Sequence, residues 1–382
     1  MKHFDAIVVG SGAMGSAVTY HLANRGLRTL NLEKFHLNHV NGSSHGKSRI
    51  IRTAYHEHSN YVPLVKRAFE LWYELQDQSG NDLIRITGGL MFGTPDSELV
   101  SGALRSASEH SVQHKLLEAH EITEQFQVFR PSDEEVAILE PNAGILFPER
   151  CIKAHTALAR NAGAEFHFNE PVLKWQADRD TIVARTQKET YVADSMIFAA
   201  GSWVAELLPD LNLPLQCERQ TVFWFKPLQD AELLSAARMP VFIWQQRGGN
   251  YYYGVPDMGE GVKAAEHHAG EFASPDSIRR EITQEDELPV RGFLKRHIPL
   301  AGGEIVSSTT CLYTNSPDGH FLIDFHPNYR NVIIVSACSG HGFKFATVIG
   351  ELVSDMLLER KTKYDISLFS LSRFRLRESK LN

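Results

Sequence analysis

Several parts of the sequence carry residue types at spacings that could do chemistry. Near the N-terminus, Gly10, Gly12 and Gly15 form a Gly-x-Gly-x-x-Gly fingerprint, and much later Cys311 stands far from the other three cysteines. Glycines at this spacing allow a tight turn and a close approach of the backbone to a pyrophosphate. A cysteine thiolate held beside a bound flavin can attach to it covalently, whereas a free cysteine is otherwise usually buried and inert. The fingerprint therefore predicts a dinucleotide, and Cys311 is either its attachment point or a core residue.

Basic side chains stand beside two glycine-containing turns. Arg49 and Arg52 lie in the polar loop 41–52, and Lys344 follows Gly340 and Gly342 at the start of the last helical segment. A pair of arginines usually belongs to a solvated surface, although a planar guanidinium can also bind both oxygens of a carboxylate. A lysine near the start of a helix is disfavoured by the helix dipole, so its presence there indicates a function.

A third group of polar residues lies in the segment 261–268. Lys263 and His267 are four positions apart, and His268 follows directly. Such a segment is commonly exposed, and two adjacent histidines could also bind a metal, but no second cluster of ligands supports zinc. The histidines on either side of Glu57 lie in a loop with no partner apparent in the sequence. We therefore predict no metal site.

The elements around the fingerprint form a βαβ pattern. The apolar run 4–9 predicts a buried parallel strand, a helix follows the glycines and closes at 25–26, and 29–32 predicts a second strand,. Glu33 ends that strand about 20 residues after Gly10, the separation expected of an acid that binds a ribose hydroxyl,. Strand, helix and acid together strengthen the prediction of a bound dinucleotide.

The rest of the chain alternates between helical and strand-like segments. Apolar spacing predicts a helix over about 62–76, a polar helix is predicted over about 99–111, and residues from about 220 to 299 look like strands,. A strand over 331–337, a glycine-rich turn and a helix to about 358 close the chain. The predicted fold is α/β, with a Rossmann-type, doubly wound nucleotide-binding domain (1–80, 146–219 and 312–382) interleaved with a mixed-sheet α+β substrate domain (81–145 and 220–311).

Composition excludes several classes of protein. The 382 residues are 43% hydrophobic and 22% charged, with a net charge of −7, which argues against a nucleic-acid partner,. No apolar run approaches the ~18 residues needed to span a bilayer,. Four cysteines without Cys-x-x-Cys spacing fit a reducing, cytoplasmic setting,. The peroxisome-like tripeptide 379–381 is followed by Asn382, so it does not end the chain as such an address must,.

The chain resembles the monomeric sarcosine oxidase family, which includes the N-methyltryptophan oxidases. The resemblance runs essentially from end to end, and its most specific segments are 42–55, 140–144, 311–313 and 339–345. It implies FAD linked through a cysteine sulfur and oxidation of the C–N bond of a small N-methyl amino acid. Sarcosine would give glycine, formaldehyde and hydrogen peroxide. The resemblance also implies molecular oxygen as the electron acceptor, and a monomer.

The family's residue roles carry over position by position. Cys311 would attach FAD, and Arg52 and Lys344 would bind the substrate carboxylate. Lys263 would lie over the flavin and activate oxygen, because a fixed cation stabilises the negative charge that oxygen acquires. The implied catalytic residues are Lys263, Arg49, His267, Tyr253 and His45, and the substrate site also includes Tyr253 and Tyr313. The implied FAD contacts are Gly10, Gly12, Gly15, Glu33, Ser43, Ser48, Arg49, Gly340, Gly342 and Lys344.

Some positions differ from the family's pattern. Glu33 and Ser48 replace a shorter acid and a threonine, Ser44-His45 replaces a pair of histidines, and Lys47 replaces an acid. The stretch 244–253 is one residue longer than in the sarcosine enzymes, and the stretch 256–263 is one residue shorter. Because these two segments shape the pocket, N-methyl-L-tryptophan, proline and pipecolate stay open as substrates. A flavin dehydrogenase with another electron acceptor and a non-catalytic nucleotide-binding protein also stay open as functions.

Overall fold

The computed structural model describes residues 2–178 and 181–374, so the tripeptide 379–381 lies outside the described residues. The helices are α1 (Ala13–Asn24), α2 (Tyr61–Ser79), α3 (Glu98–Glu109), α4 (Ala119–Gln125), α5 (Pro148–Asn161), α6 (Val204–Leu207), α7 (Gln284–His297) and α8 (Ala346–Glu359). The strands are β1 (His3–Val9), β2 (Thr29–Leu32), β3 (Arg49–Ile51), β4 (Ile84–Ile86), β5 (Gly89–Gly93), β6 (Lys115–Glu118), β7 (Val136–Glu140), β8 (Gly144–Leu146), β9 (Glu165–His167), β10 (Lys174–Asp178), β11 (Thr181–Arg185), β12 (Thr190–Phe198), β13 (Gln216–Phe225), β14 (Val241–Gln245), β15 (Tyr251–Val255), β16 (Val262–His267), β17 (Ile305–Asn315), β18 (Leu322–His326) and β19 (Tyr329–Ser336).

The first sheet carries the predicted βαβ unit. Its path is β10-β11-β12-β1-β2-β9, and β19 pairs with the end of β12 and with β18. The pairs that join β9, β2, β1, β12 and β19 are parallel. Helices α1, α2, α5 and α8 pack together over one face, while the residues of β1 alternate between two apolar clusters. A sheet buried on both faces explains why β1 is a nearly continuous apolar run.

The second sheet stands beside the first and is mostly antiparallel. Its order is β17-β13-β16-β15-β14-β5-β7-β6, and only the pair of β5 with β14 is parallel. A small third sheet, β3-β8-β4, carries the end of the polar loop. Parallel and mixed sheets combined with helices confirm the predicted α/β fold class.

Three expectations from the sequence need correction. The loop 41–52 is not irregular throughout, because Arg49–Ile51 forms β3 against β8. Residues 220–299 are not only strands, because α7 lies among them and begins with a capping box formed by Thr283 and Asp286. Lys344 also lies in a single 3₁₀ turn, Phe343–Phe345, that leads into α8.

The division into two domains stays a prediction. The boundaries placed at 219/220 and 311/312 fall inside β13 and β17, which pair with each other along nearly their whole length. Among the described residues, no helix is both long and apolar enough to cross a membrane.

Candidate active site

A cavity of about 530 Å³ opens between the two large sheets. Its walls include the glycine turn after β1, the loop before β3, the second half of β17 and the turn after β19. The predicted site residues other than Gly15, His45 and Lys263 line this cavity. Folding therefore brings together segments from the beginning, the middle and the end of the chain.

The glycine turn leaves room that side chains would fill. Gly10 has a φ of +99°, and a Cβ there would lie 2.5 Å from the carbonyl oxygen of Ala199. A Cβ on Gly15 would collide with the Gly10 carbonyl, whereas one on Gly12 would meet only Ser44 Oγ, at 3.4 Å. Gly10 and Gly15 are thus required by the protein's own packing, and Gly12 keeps the backbone open toward the cavity.

Glu33 holds the backbone of the turn. Its carboxylate accepts hydrogen bonds from the amides of Ser11 (2.7 Å) and Phe35 (2.8 Å), and burial raises its pKa. Three buried oxygens on the cavity wall have no protein partner within the described residues, which is the condition expected where a polar ligand binds. They are Ser11 Oγ, Asn38 Oδ1 and Ser336 Oγ.

Lys263 lies on β16, behind the cavity-lining loop. Its Nζ donates to the carbonyls of Gly46 (2.8 Å) and Ser48 (2.7 Å) and to Ser48 Oγ (3.2 Å). Burial and, secondarily, Arg49 hold the pKa of Lys263 well below its usual range. The two carbonyls and the Ser48 hydroxyl can surround either form of the amine, because a neutral amine can donate to both carbonyls and accept from the hydroxyl. These three contacts fix Nζ against the loop.

The loop itself is fixed by contacts that the sequence did not reveal. Arg49 donates to the carbonyls of Ser48 (2.8 Å) and Ser43 (2.7 Å), and Glu149 accepts from the amides of Gly46 (2.8 Å) and Lys47 (3.0 Å). Glu149 lies at the start of α5, and nothing about its position in the sequence indicates that it contacts the loop. Only the folded chain shows that this acid holds the turn next to two cations.

His45 is buried beside those cations. Burial, followed by the charges of Arg49 and Lys263, lowers its pKa to about 3, so the ring is neutral. Its Nε2 has no hydrogen-bond partner among residues 2–178 and 181–374. His45 does not line the cavity wall, which leaves its predicted role beside the ligand a prediction.

Cys311 stands on β17, opposite Gln220 of β13. Its side chain lines the cavity although the residue is only 3% exposed. Burial raises the pKa of the thiol, while the charges of Arg49 and Lys263 act in the opposite direction. A second cysteine, Cys338, also lines the cavity, and its Sγ accepts a hydrogen bond from the amide of Thr314 at 3.3 Å.

Arg52 is buried and pairs with Glu57, an acid for which the sequence had indicated no partner. One of its terminal nitrogens contacts both oxygens of Glu57, at 2.9 and 3.0 Å, and lies 3.2 Å from His56 Nδ1. The guanidinium also lies 4.4 Å from the centre of the Tyr55 ring. Despite its burial, the pKa of Glu57 lies well below its usual range, because Arg52 is close. Arg52 and Glu57 therefore form a charged pair in the cavity wall.

Lys344 lies next to this pair. Its Nζ donates to the carbonyl of His341 at 2.7 Å and lies 3.3 Å from Tyr55 Oη. Its backbone carbonyl accepts from the indole of Trp72 at 2.8 Å, which anchors the turn. Burial and the charge of Arg52 lower the pKa of Lys344 to about 7, with Glu57 acting in the opposite direction. Two cations and one carboxylate therefore share this part of the cavity.

Aromatic side chains form another part of the wall. His267 Nδ1 lies 2.9 Å from Tyr313 Oη, and burial holds the pKa of His267 well below its usual range. Gly340 has a φ of +78°, and a Cβ there would lie 2.5 Å from His267 Cε1. His56 and Tyr251 stack 6.0 Å apart, and Tyr253 also lines the wall.

The site has no metal-binding character in the part of the chain that is described. Across residues 2–178 and 181–374, no three His, Cys, Asp or Glu side chains lie close enough together to hold a metal ion. The sequence predictions gave no role to several residues that line or support the site, although Tyr55 and His341 lie in segments that carry the family resemblance and Glu57 stands in a His-Glu-His run without a partner. They are Tyr55, Glu57, Glu149, Tyr251 and His341.

Known proteins are similar to this chain in both sequence and fold. The model of the FAD dependent oxidoreductase family matches residues 5–356. A monomeric sarcosine oxidase from Bacillus sp. (strain NS-129) is 41% identical over 382 residues, covering 98% of each chain. An N-methyl-L-tryptophan oxidase from Yersinia pestis (strain Pestoides F) is 35% identical over 374 residues, covering 97% of this chain and 100% of its own.

Among solved structures, the L-proline dehydrogenase from P. horikoshii superimposes with a TM-score of 0.86 at 21% identity and covers 98% of each chain, which is a likeness of fold. A family match along nearly the whole chain and relatives well above 30% identity agree with the dinucleotide fingerprint at the cavity. The chain therefore belongs to the FAD dependent oxidoreductase family and, within it, to the family of the monomeric sarcosine oxidases and N-methyl-L-tryptophan oxidases.

Proposed function

We propose that the protein is an FAD-dependent oxidase of a small secondary-amine amino acid, with sarcosine as the first candidate. Sarcosine, water and oxygen would give glycine, formaldehyde and hydrogen peroxide. The observation that carries the proposal is the pair of buried cations, Arg52 and Lys344, in the wall of the same cavity as the dinucleotide fingerprint and Cys311. A cavity with this pair can hold a carboxylate in a fixed place and so orient the rest of a small amino acid.

The cavity fits FAD on features of the chain itself. The open backbone at Gly12 and the three unpartnered oxygens on the described wall suit a long, polar ligand. Gly10, Gly12, Glu33, Ser43, Ser48, Arg49, Gly340 and Gly342 would hold it, with Gly15 keeping the turn tight. When bound, FAD supplies an acceptor for the two electrons removed from the C–N bond. We further propose that Cys311 Sγ forms a thioether with the flavin ring. A C–S bond would replace a C–H bond of the flavin and the S–H bond of the thiol, and the two electrons and two protons released would pass to oxygen to give hydrogen peroxide.

A Gly12→Ala variant should fold and lose FAD. A new methyl would touch only Ser44 Oγ within the protein but would occupy space that the cofactor needs, and overpacking of this kind costs about 1–3 kcal/mol. We expect the ratio of bound flavin to protein to fall about tenfold or more, with an unchanged circular dichroism spectrum.

Gly292→Ala is the matched control for this variant. Gly292 lies in α7, and a Cβ there would meet no atom within 4 Å, so alanine should keep full flavin and stabilise the helix slightly,. Full flavin content in Gly12→Ala protein would count against the proposed position of the cofactor.

The remaining wall restricts the size and placement of a substrate. The His56–Tyr251 stack and the hydrogen-bonded pair His267–Tyr313 narrow the cavity, and Tyr253 completes this side. The amine must react as the neutral base, because a protonated nitrogen has no free lone pair. Neutral rings such as His267 add no positive charge that would repel a substrate amine.

Binding of a carboxylate should weaken as pH rises through the pKa of Lys344. That pKa is about 7, so the side chain is charged below this value and loses its charge above it. Each pH unit above the pKa should raise the dissociation constant of a simple carboxylate by up to tenfold, until the higher pKa of the complex is reached. Titration with acetate between about pH 6 and 9, followed by flavin absorbance, measures this.

Lys344→Met provides the control for this titration. It should bind acetate more weakly at low pH and show little change with pH, because Arg52 stays charged throughout. The same pH dependence in Lys344→Met as in the unchanged protein would assign the titration to another group.

We also propose oxygen as the electron acceptor. Two carbonyls and a hydroxyl fix Lys263 Nζ behind the loop that carries Ser48 and Arg49, and its protonated form would place a positive charge there. A fixed positive charge favours the transfer of electrons to oxygen, which becomes negative as it accepts them. The name of the sarcosine oxidase relatives supports a monomer, and the four free cysteines support a reducing, cytoplasmic setting,.

The decisive experiment is an anaerobic absorbance spectrum before and after addition of sarcosine. Loss of the flavin band, followed by peroxide formation when air is admitted, is the result expected. N-Methyl-L-tryptophan and proline, added separately, measure the rival substrates. If either of these bleaches the flavin and sarcosine does not, the protein is still an amine oxidase, but its substrate is not sarcosine. Bleaching that is not reversed by air would indicate a dehydrogenase with another acceptor.

A further inference from the structure

A partly buried chain of hydrogen bonds leads to Lys344 and is not used in the function proposed above. Lys344 Nζ lies 3.3 Å from Tyr55 Oη, which lies 2.7 Å from His341 Nδ1. On the other side of the same ring, His341 Nε2 lies 3.0 Å from the carbonyl oxygen of Gly319. Tyr55 is fully buried, so its hydroxyl depends on these neighbours.

The direction of each hydrogen bond follows from the last acceptor. The carbonyl of Gly319 can only accept, so His341 Nε2 must carry a proton. Burial keeps the His341 ring neutral, and a neutral imidazole has one proton, so Nδ1 has a free lone pair,. Nδ1 therefore accepts from the Tyr55 hydroxyl. This contact is much shorter than the 3.4 Å alternative from the hydroxyl to the His341 carbonyl.

The hydroxyl is thereby oriented toward the cation. Because its single proton points to His341, the lone pairs of Tyr55 Oη are free to accept from Lys344 Nζ. The carbonyl of His341 supplies the second acceptor, at 2.7 Å. The Tyr55 ring also lies under both cations, 4.4 Å from the Arg52 guanidinium and 5.2 Å from Lys344 Nζ,.

We propose that Tyr55 and His341 are positioning residues that hold the Lys344 ammonium in place for the carboxylate of the substrate. The Gly319 carbonyl fixes which ring nitrogen of His341 carries the proton, and His341 fixes the direction of the Tyr55 hydroxyl. The hydroxyl oxygen can then accept a hydrogen bond from Nζ. This inference rests on the proposed function, because it assumes that a carboxylate binds at Lys344 and Arg52. Neither positioning residue needs to touch the substrate.

Charged and titratable groups from two segments face Lys344. Arg52, Tyr55, His56 and Glu57 come from the stretch after β3, and His341 comes from the turn after β19. Glu57 favours the charged lysine and Arg52 disfavours it, so an oriented acceptor adds to the effect of Glu57. Removal of the Tyr55 hydroxyl should therefore shift the loss of carboxylate affinity to lower pH.

The test measures acetate binding to the flavin-containing protein across pH. Tyr55→Phe keeps the ring and the cation contacts but removes the acceptor. We expect acetate affinity to fall about 10- to 100-fold, as for loss of a hydrogen bond to a charged group. We expect its decline with pH to begin at lower pH, and KM for substrate to rise more than kcat falls.

A double-mutant cycle shows whether Tyr55 acts through Lys344. In a Lys344→Met background, Tyr55→Phe should have little further effect on acetate affinity, because the group that it positions is gone. Equal effects of Tyr55→Phe with and without Lys344 would overturn the inference, since a merely structural loss would be additive.

His341 offers a second pair of variants in case Tyr55→Phe folds poorly. In His341→Asn, the side-chain oxygen can take the place of Nδ1 and accept from the Tyr55 hydroxyl, so most of the affinity should remain. His341→Leu has similar bulk and no acceptor, and it should behave like Tyr55→Phe. Equal acetate affinities in the two His341 variants would overturn the proposed chain.

The outcomes separate this inference from the function on which it rests. If the unchanged protein binds acetate and oxidises sarcosine, and Tyr55→Phe behaves identically, the positioning role alone is overturned. If the unchanged protein binds no acetate and no amino acid reduces its flavin, the carboxylate site is overturned, and both proposals fall with it.

Discussion

Denatured Cys311→Ser protein is expected to release all of its flavin, whereas the unchanged protein should keep the flavin after denaturation. Cys311 lies on the cavity wall in the middle of β17, where pairing with β13 fixes its direction. A thioether at this position cannot be replaced by a serine oxygen, because the hydroxyl is a far weaker nucleophile than a thiolate. Acid precipitation followed by absorbance of the supernatant and the pellet measures the difference.

The matched control is the other cysteine of the cavity. Cys338→Ser removes a thiol that also lines the wall but accepts a hydrogen bond from Thr314. Serine can accept the same hydrogen bond, so this variant should keep its flavin on denaturation. Retention of flavin by denatured Cys311→Ser protein, or its loss from Cys338→Ser, would disprove the assignment of the attachment point.

The predictable part of the site is encoded in local pattern. One short βαβ segment contains the apolar run before Gly10, the helix after Gly15 and the acid at Glu33. Each of these features can be read from residues close to it in the sequence. The structure places β1, α1 and β2 within a few residues of the predicted bounds. Local geometry of this kind can be predicted from one sequence because few other arrangements bury the same apolar run.

The contacts that complete the site are not predictable from the sequence. Arg52 stands out as a carboxylate-binding side chain, but nothing in the sequence indicates its pairing with Glu57, although the two are five residues apart. Glu149 reaches the loop at Gly46 from a helix about a hundred residues later. Such pairs depend on how separate segments approach each other, and the residues themselves show no periodicity that would reveal it.

Helix α7 shows why a helix can be missed among strands. Its buried residues are confined to the last eight positions, at Val290, Phe293, Leu294 and His297, so no apolar stripe runs along its whole length. Pro289 within it also argues against a helix,. The signals that are present are the capping box of Thr283 with Asp286, the acidic first turn and the basic last turn,.

The second large effect is expected for Lys263→Met, in which the reaction with oxygen should slow about 100- to 1000-fold while reduction by substrate changes little. Lys263 Nζ donates to Gly46 and Ser48 behind the cavity wall, so the substitution removes this fixed amine and the positive charge of its protonated form, and it leaves the proposed carboxylate-binding side chains in place. Methionine has a similar length and no charge, which keeps the packing against Trp224. Stopped-flow absorbance measures the two half-reactions separately.

A second lysine on the same indole provides the control, because Lys47 Nζ and Lys263 Nζ each lie 5.4 Å from the centre of the Trp224 ring. Lys47 is half-exposed and pairs with Glu260 at 2.9 Å, so solvent screens its charge,. Lys47→Met should therefore leave the reaction with oxygen within about twofold of normal, since an exposed, paired charge contributes little. If Lys263→Met slowed both half-reactions equally, the lysine would act on the structure of the site as a whole. Selective loss of the oxygen reaction in Lys263→Met alone would instead show that burial, not proximity to the indole, makes this cation effective.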